Sequence, residues 1–385
     1  MPNGSHIGMR QTFMELINTA PLRNDVLVMI ENPEDMRRKT HLFERGNWTS
    51  PGVEVQPKVP GSLNPFPEGA PDNRLGFAQW LVNPDNPLTA RTVANRVWAQ
   101  VFGQGIVDPL GDMGSQSVTP VHRELLDYLA YNLMHEKNWR LKKLIREMLL
   151  SSTYRQSSDQ NTKEAEKDPQ NDYLARGPRF RLSAEQVRDQ ALAVSGLLSD
   201  KMYGPSVMPY QPEVGAFFFI DSESKWETSE GEDRYRRALY TFLKRTNTYP
   251  SFISFDAPSR EVCTVERIRT NTPLQALVTL NDPVYIEAAK CLAGLMEQEG
   301  SGSVEATIRA GYRRAMLKDP EAGKLAALEK LYEDVRADFA ARPRDAARFI
   351  GEDLPDGKAE EIMSRAAYTV VANALLNLDE FLTKS

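Results

Sequence analysis

Residues 86–102 read NPLTARTVANRVWAQVF, and their spacing decides the class of fold. On a helix from Leu88 to Phe102, at about 100° per residue, Ala90, Val93, Ala94, Val97, Trp98, Val101 and Phe102 form one broad apolar arc. Thr89, Thr92, Arg96 and Gln100 form the opposite, polar arc, so Arg96 is expected in solvent. Its burial would instead make this helix the centre of the fold. Arg91 and Asn95 fall at the edge of the apolar arc and are expected to be at least partly buried. A buried guanidinium needs a carboxylate or carbonyl partner, so the pair either anchors a structural network or faces a ligand.

Outward from that helix the pattern stays helical. Val121–Leu133 carries Leu125, Leu126, Leu129 and Leu133 on one face, with His122 in the first turn near its middle. The helix dipole disfavours an imidazolium there, so His122 is expected neutral and hydrogen-bonded, as a core histidine or, in the sharper reading, as a general base or metal ligand. The intervening loop, Val107 to Gly114, holds Asp108 and Asp112 beside prolines and glycines, the usual composition of turns. Asp112 is one candidate partner for Arg91, because it lies in the loop joining the two helices. A glycosidase pair drawn from Asp108, Asp112, Glu124 and Asp127 has no spacing to support it.

Five segments place a capping residue before proline: Asn86-Pro87, Thr119-Pro120, Thr272-Pro273, Asp282-Pro283 and Asp319-Pro320. Proline suits the first helical turn, where its missing N–H has no partner to lose. Ser183 with Gln186 and Thr272 with Gln275 read as capping boxes. Asp25–Ile30 and Lys39–Phe43 read as short strands, and Thr49–Asp72 as an extended proline-rich loop. Between residues 200 and 230, GPSVMPYQP (204–212) and the apolar run Ala216–Ile220 read as a long ordered loop. The predicted fold is mainly α: a multi-helix globular domain with a few short strands near the N-terminus and long Pro-rich loops. The expected divisions are an extended segment over 1–72, a main helical domain over 73–300 and a C-terminal helical bundle over 301–385, with a boundary at Glu297–Ser303.

The basic cluster is Arg234, Arg236, Arg237, Lys244 and Arg245, followed by Arg260, Arg267 and Arg269. A helix over 233–245 would put Arg234, Arg237 and Lys244 on one side and Ala238, Leu239 and Phe242 on another. That face is either solvated or a local anion site, since the planar arginine fork suits carboxylate, sulfate or phosphate. Glu185, Arg188 and Asp189 read as i,i+3 pairs on their own helix.

Composition bounds the rest. The chain has 385 residues, 41% hydrophobic and 26% charged, which is ordinary globular usage. A formal net charge of -6 argues against a nucleic-acid partner. Cys263 and Cys291 are the only cysteines, too few for a disulfide framework or a four-cysteine zinc site, and Cys-x-x-Cys-His is absent. The four histidines, His6, His41, His122 and His135, show no ligand spacing, so no metal site is expected. No stretch approaches the ~18 apolar residues of a membrane span. The polar opening MPNGSHIGM carries no signal peptide and is either a true start or the cut end of a longer protein.

Together with HLFERGNW (41–48), the words NPLTARTVANRVWAQVFGQGIV (86–107), ELLDYLA (124–130), TYRQSS (153–158), RLSAEQVRDQALAVSG (181–196), GPSVMPYQP (204–212), YRRALYTFLKRT (235–246), FDAPSREVCTVERIRTNTPLQALVTLNDP (255–283) and LLNLDEFL (375–382) resemble, in order, the planctomycete surface domain, a domain of unknown function. The resemblance implies the C-terminal module of exported proteins that carry a cytochrome-c-like haem domain, at the periplasm or cell surface, in a setting of electron transfer and polysaccharide use. It implies no cofactor in this chain and haem c on an N-terminal domain that this sequence lacks. Matching positions are Asn95, Arg96, Asp112, Gly114, His122, Arg236, Arg237, Asp256 and Arg267, although Gly111-Asp112-Met113-Gly114 stands where the family commonly has Asp-Asp-Phe-Gly and Arg123 where it has proline.

Two functions follow as expectations. In the first, the chain binds, or acts on, an anionic or polyhydroxylated carbohydrate-like ligand. Asp112 and His122 are then the acid–base candidates, and Arg91, Asn95, Arg96, Arg236, Arg237, Asp256 and Arg267 the binding candidates. In the second, it is a non-catalytic docking module for a haem-bearing partner, with an exposed apolar patch and no polar pocket. A pocket lined jointly by Arg91, Asp112, His122 and Arg237 would speak against the second.

Overall fold

The computed structural model describes every residue except 1–3, 20–27, 115–116, 160–161, 212–225, 245–247, 301 and 385. It is mainly α, with 51% of the chain helical. The chain divides into two compact units, Met1–Thr89 and Ala90–Ser385.

The first unit opens with helix α1 (Gly4–Thr19), which the sequence reading did not anticipate. Strands β1 (Thr40–Phe43) and β2 (Pro51–Val55) pair antiparallel, Thr40 opposite Val55 and His41 opposite Glu54. The first of these confirms the strand expected over 39–43. The second lies inside the segment read as loop, because a partner strand supplies hydrogen bonds that composition alone does not announce. Of the strand expected over 25–30, residues 25–27 lie outside the described residues and 28–30 carry no regular structure. Helix α2 (Arg74–Leu81) is capped by Asn73, whose side chain accepts from the N–H groups of Leu75 and Gly76. Trp80 is buried there and donates to the Asn64 carbonyl at 2.8 Å.

Helices α3 (Thr89–Phe102), α4 (Arg123–His135) and α5 (Leu141–Leu150) build one core from Ala94, Trp98, Leu126, Leu129, Leu133 and Leu144. The arc predicted for α3 is the buried one, and Arg96 is exposed. α3 is therefore not the central helix. After α6 (Thr162–Lys167) and the two-residue strand β3 (Phe180–Arg181) come α7 (Ala184–Val194), α8 (Pro250–Ser254), α9 (Pro273–Asn281), α10 (Pro283–Glu299), α11 (Val304–Met316), α12 (Ala322–Ala341), α13 (Pro343–Ile350), α14 (Ala359–Leu376), α15 (Asp379–Leu382) and β4 (Thr383–Lys384). β4 returns to pair antiparallel with β3, Arg181 opposite Thr383. The central element is α14, whose residues Ala366–Thr369, Val371–Asn373 and Leu375–Leu376 are buried all round the helix. It packs against α10, α12 and α13.

One core runs from Ala184 to Leu382 through both sides of the boundary expected at 297–303. Within that stretch Gly300 closes α10 hard against α11. A Cβ on Gly300 would lie 2.3 Å from the Thr307 Cα, and one on Gly311 would lie 2.6 Å from Met296, so glycine is what lets the two helices touch. The start motifs divide similarly. Asp282 caps α10 and Ser183–Gln186 forms a complete capping box. Asn86 accepts from the N–H groups of Leu88 and Thr89. Thr272 precedes α9 without a side-chain cap, Thr119-Pro120 lies outside α4, and Asp319 leaves the start of α12 to pair with Arg313.

The helix expected over 233–245 does not form. Gly231–Tyr235 and Ala238–Tyr240 are short 3₁₀ turns, and Ser199 and Val207 bridge to Arg236 and Thr241. The reason is side-chain competition for the backbone. Arg188, 1% exposed, donates to the carbonyls of Arg234 and Arg236, both at 2.8 Å. Asp189 accepts from the Ala238 N–H at 2.7 Å. Those groups are then unavailable to an α-helical ladder. Arg245 and the run Ala216–Ile220 lie outside the described residues.

No described helix is long and apolar enough to cross a membrane.

Replacing Arg188 with Met strands two buried carbonyls and should cost about 3 kcal/mol, since hydrogen bonds to charged groups contribute roughly 1.5–3 kcal/mol each. Arg91→Ala removes a half-exposed ion pair and should cost less than about 1 kcal/mol. Urea unfolding followed by circular dichroism measures both; equal midpoints for the two variants would remove Arg188 from its place as the anchor of this segment.

Candidate functional site

The residues singled out in the sequence do not converge. Asn95 is buried and holds Val107 at two points, donating to its carbonyl at 2.8 Å and accepting from its N–H at 3.0 Å. Arg91 pairs with Asp127 at 2.6 Å, so Asp112 is not its partner. Asp112 instead accepts from the Gly114 N–H at 2.9 Å, closing a turn. Arg96 and Arg237 are exposed. Arg236 is sealed in by the carbonyls of Lys201, Tyr203 and Pro205, with its guanidinium carbon 3.7 Å from the Tyr240 ring centre. It is an interior clamp on the 201–205 loop and offers no free face to a ligand. His122 sits just before α4 rather than within it, and its Nε2 is buried without a hydrogen-bond partner among the described residues. Of Arg91, Asp112, His122 and Arg237, His122 alone borders either of the two clefts described next.

Two clefts of the second unit do gather polar side chains. The larger, about 710 Å³, lies over Phe252 and Phe255 of the α8 region, between the α7 face bearing Glu185 and Asp189 and the loop over 257–270. Its charged lining is balanced: Arg181, Arg260, Arg267 and Arg269 against Glu185, Asp189, Asp256 and Glu266. Arg267 pairs with Glu185 at 2.7 Å. The i,i+3 pairs expected within α7 therefore give way to long-range partners for all three residues.

Asp256 has a left-handed φ of 58° and accepts at Oδ2 from the Thr270 N–H at 2.9 Å and the Thr270 hydroxyl at 2.7 Å. The Gln275 amide leans on the same oxygen at 3.4 Å, and its own oxygen accepts from Arg181 at 3.2 Å. Gln275 is thus spent on this wall, which is why Thr272 and Gln275 form no capping box.

The second cleft, about 580 Å³, is bordered by Trp98, Phe102 and His122 on one side and by Asp172, Arg176, Arg179 and Asp379 on the other. Trp98 and Phe102 stack at 3.8 Å. Asp379 pairs with Arg179 at 2.8 Å and with Arg181 at 3.2 Å.

Environment sorts the acids. Burial works against the Glu185 carboxylate, but the Arg267 bond and charge, with the local backbone and Ser183 bonds, outweigh it and hold the pKa below the ordinary value. For Asp189 burial wins and the pKa rises, although the Ala238 N–H and the charges of Arg188 and Arg237 oppose it. Asp189 is therefore the carboxyl of this cleft best suited to carry a proton. Spacing alone reads Glu185, Arg188 and Asp189 as i,i+3 pairs on their own helix and nominates neither Arg188 nor Asp189 for a site. The available signal was the helical wheel over 184–194, which sets Arg188 between Ala191 and Leu192, where a solvated arginine does not belong.

Among the described residues no group of three or more His, Cys, Asp or Glu could hold a metal ion. Cys263 is exposed, Cys291 lies on α10, and no Cys-x-x-Cys-His exists, so the residues do not fit a covalently held haem.

The raised Asp189 pKa has a signed consequence. The folded state binds this proton more tightly than the unfolded state, so the group's contribution to stability falls as pH rises through the window above 3.8 and is flat above the folded pKa. Asn at 189 keeps an acceptor for Ala238 and removes the titration. Asp189→Asn should therefore gain stability relative to the parent as pH climbs from about 3 toward 7, read from paired urea midpoints. A constant difference across that range would show that Asp189 does not titrate abnormally.

No curated protein and no solved structure matches the chain. The family model described as PSD1, protein of unknown function (DUF1553), matches residues 73–332, more than half of the sequence, including the whole lining of the larger cleft and that of the smaller except Asp379 and Thr383. The chain belongs to the PSD1 (DUF1553) family.

Proposed function

We propose that the second unit binds a polyhydroxylated, carbohydrate-like ligand in the cleft between α7 and the 257–270 loop. The observation that carries this reading is the lining itself: four arginines interleaved with four carboxyl groups over a phenylalanine floor. A site built for a simple anion would carry an excess of arginine. Arginine donors set beside carboxyl acceptors suit hydroxyl groups, each of which both donates and accepts. Asp189 is the group here that would hold or move a proton if the ligand were acted on.

The docking reading keeps one specific observation. Leu274, Leu277 and Leu280 are spaced along α9 and exposed to 56%, 56% and 37%. In a longer exported protein with a cytochrome-c-like domain, that stripe is where the contact would fall.

The two readings separate in one experiment. Binding of the chain to a panel of cellulose-, xylan- and chondroitin-sulfate-derived glycans should be detectable by calorimetry. Arg267→Ala and Asp189→Asn should each weaken it by about tenfold, the equivalent of one charged hydrogen bond. Absence of binding across the panel, or binding untouched by both substitutions, would sink the carbohydrate reading and leave docking.

A further inference from the structure

The two clefts share a wall. Gly103, Phe180 and Arg181 border both, so the clefts open on either side of one low ridge. Three features build that ridge. Gly103 has φ of 89° and no room for a side chain, since a Cβ there would lie 2.6 Å from the Phe180 ring. The Arg269 guanidinium donates to the Gly103 carbonyl at 3.0 Å and lies 4.6 Å from the Phe180 ring centre, which pins the ring. Arg181 then joins the sides, holding Asp379 in the smaller cleft and Gln275 in the larger.

Of the nine buried side-chain polar atoms without a hydrogen-bond partner among the described residues, three border these clefts. Thr241 Oγ1 in the larger cleft, Arg181 Nε at the ridge and His122 Nε2 in the smaller cleft are buried and have no hydrogen-bond partner. One of the three stands in each cleft and one on the shared wall. Both ends also carry mixed charge, with Arg179 and Asp172 in the smaller cleft. Each cleft alone falls within the range of small-molecule sites, roughly 300–1,000 Å³.

We infer that the two clefts are consecutive subsites of one groove that takes an extended oligosaccharide, the chain crossing over the ridge of Gly103, Phe180 and Arg181. This rests on the carbohydrate reading above and adds the length of the ligand to it. A unit bound in one cleft holds the next unit at high effective concentration over the other, so affinity should climb with length once both are reached.

The test is a length series, mono- to octasaccharide, of the same cellulose, xylan and chondroitin-sulfate glycans, titrated against the whole chain. Affinity should step up by tenfold or more where the oligomer first spans both clefts. Arg179→Ala, an exposed position whose replacement should leave the urea midpoint in place, should abolish that step. If no member of any series binds, the carbohydrate reading fails and this inference with it. If the sugars bind but affinity is flat with length, or the step survives Arg179→Ala in a folded variant, the carbohydrate reading stands and the two-subsite groove is wrong.

Discussion

The architecture of the larger cleft depends on one buried guanidinium. Arg188 points from α7 into the interior and spends two of its N–H groups on the carbonyls of Arg234 and Arg236. Neighbouring Asp189 takes the Ala238 N–H from the same side. Together they unwind a segment rich in helix-forming residues and lay it flat against α7. Arg236, two residues along, is closed in turn by the carbonyls of the 201–205 loop. The Arg188 charge, desolvated this deeply, is tolerable because two fixed carbonyl dipoles accept from it and the Asp189 carboxylate lies 3.9 Å away. Ala238 and Thr241 become cleft wall only because of that arrangement.

The opposite wall follows the same economy of polar groups. Asp256, Thr270, Gln275 and Arg181 form a chain of hydrogen bonds that ties the 257–270 loop to α9 and to the β3–β4 pair. The C-terminal α15 reaches this wall through Asp379, which borders the smaller cleft and pairs with Arg181 of β3. Balanced charge across the cleft leaves hydrogen-bonding capacity without a strong field, the condition under which hydroxyl-rich ligands compete well with water.

Much of the scaffold was legible in the sequence. The apolar arc of α3, the buried face of α4, the capping box at Ser183 and the start of α10 at Asp282 depend on residues within a turn or two of one another. The candidate site was far less legible. Asp256 and Arg267 do line the cleft, but Arg91, Asp112 and Arg237 do not, and Arg236 is interior. Glu185 and Asp189 looked like local pairs because an i,i+3 carboxylate and arginine satisfy each other on paper. Their actual partners, Arg267 and the Ala238 N–H, come from elements distant in the chain.

The sequence by itself determined the mainly helical class, the amphipathic faces and the solvent exposure of Arg96, since periodicity and capping act over a few residues. Only the tertiary structure decided where the two clefts lie and which polar groups line them. It showed that Gly103 is glycine to make room for Phe180, and that α14 rather than the Asn86–Phe102 helix is central. The physical reason is that a buried polar group must find a partner wherever the packed chain offers one, and nothing in the spacing of residues names a partner that lies across the fold.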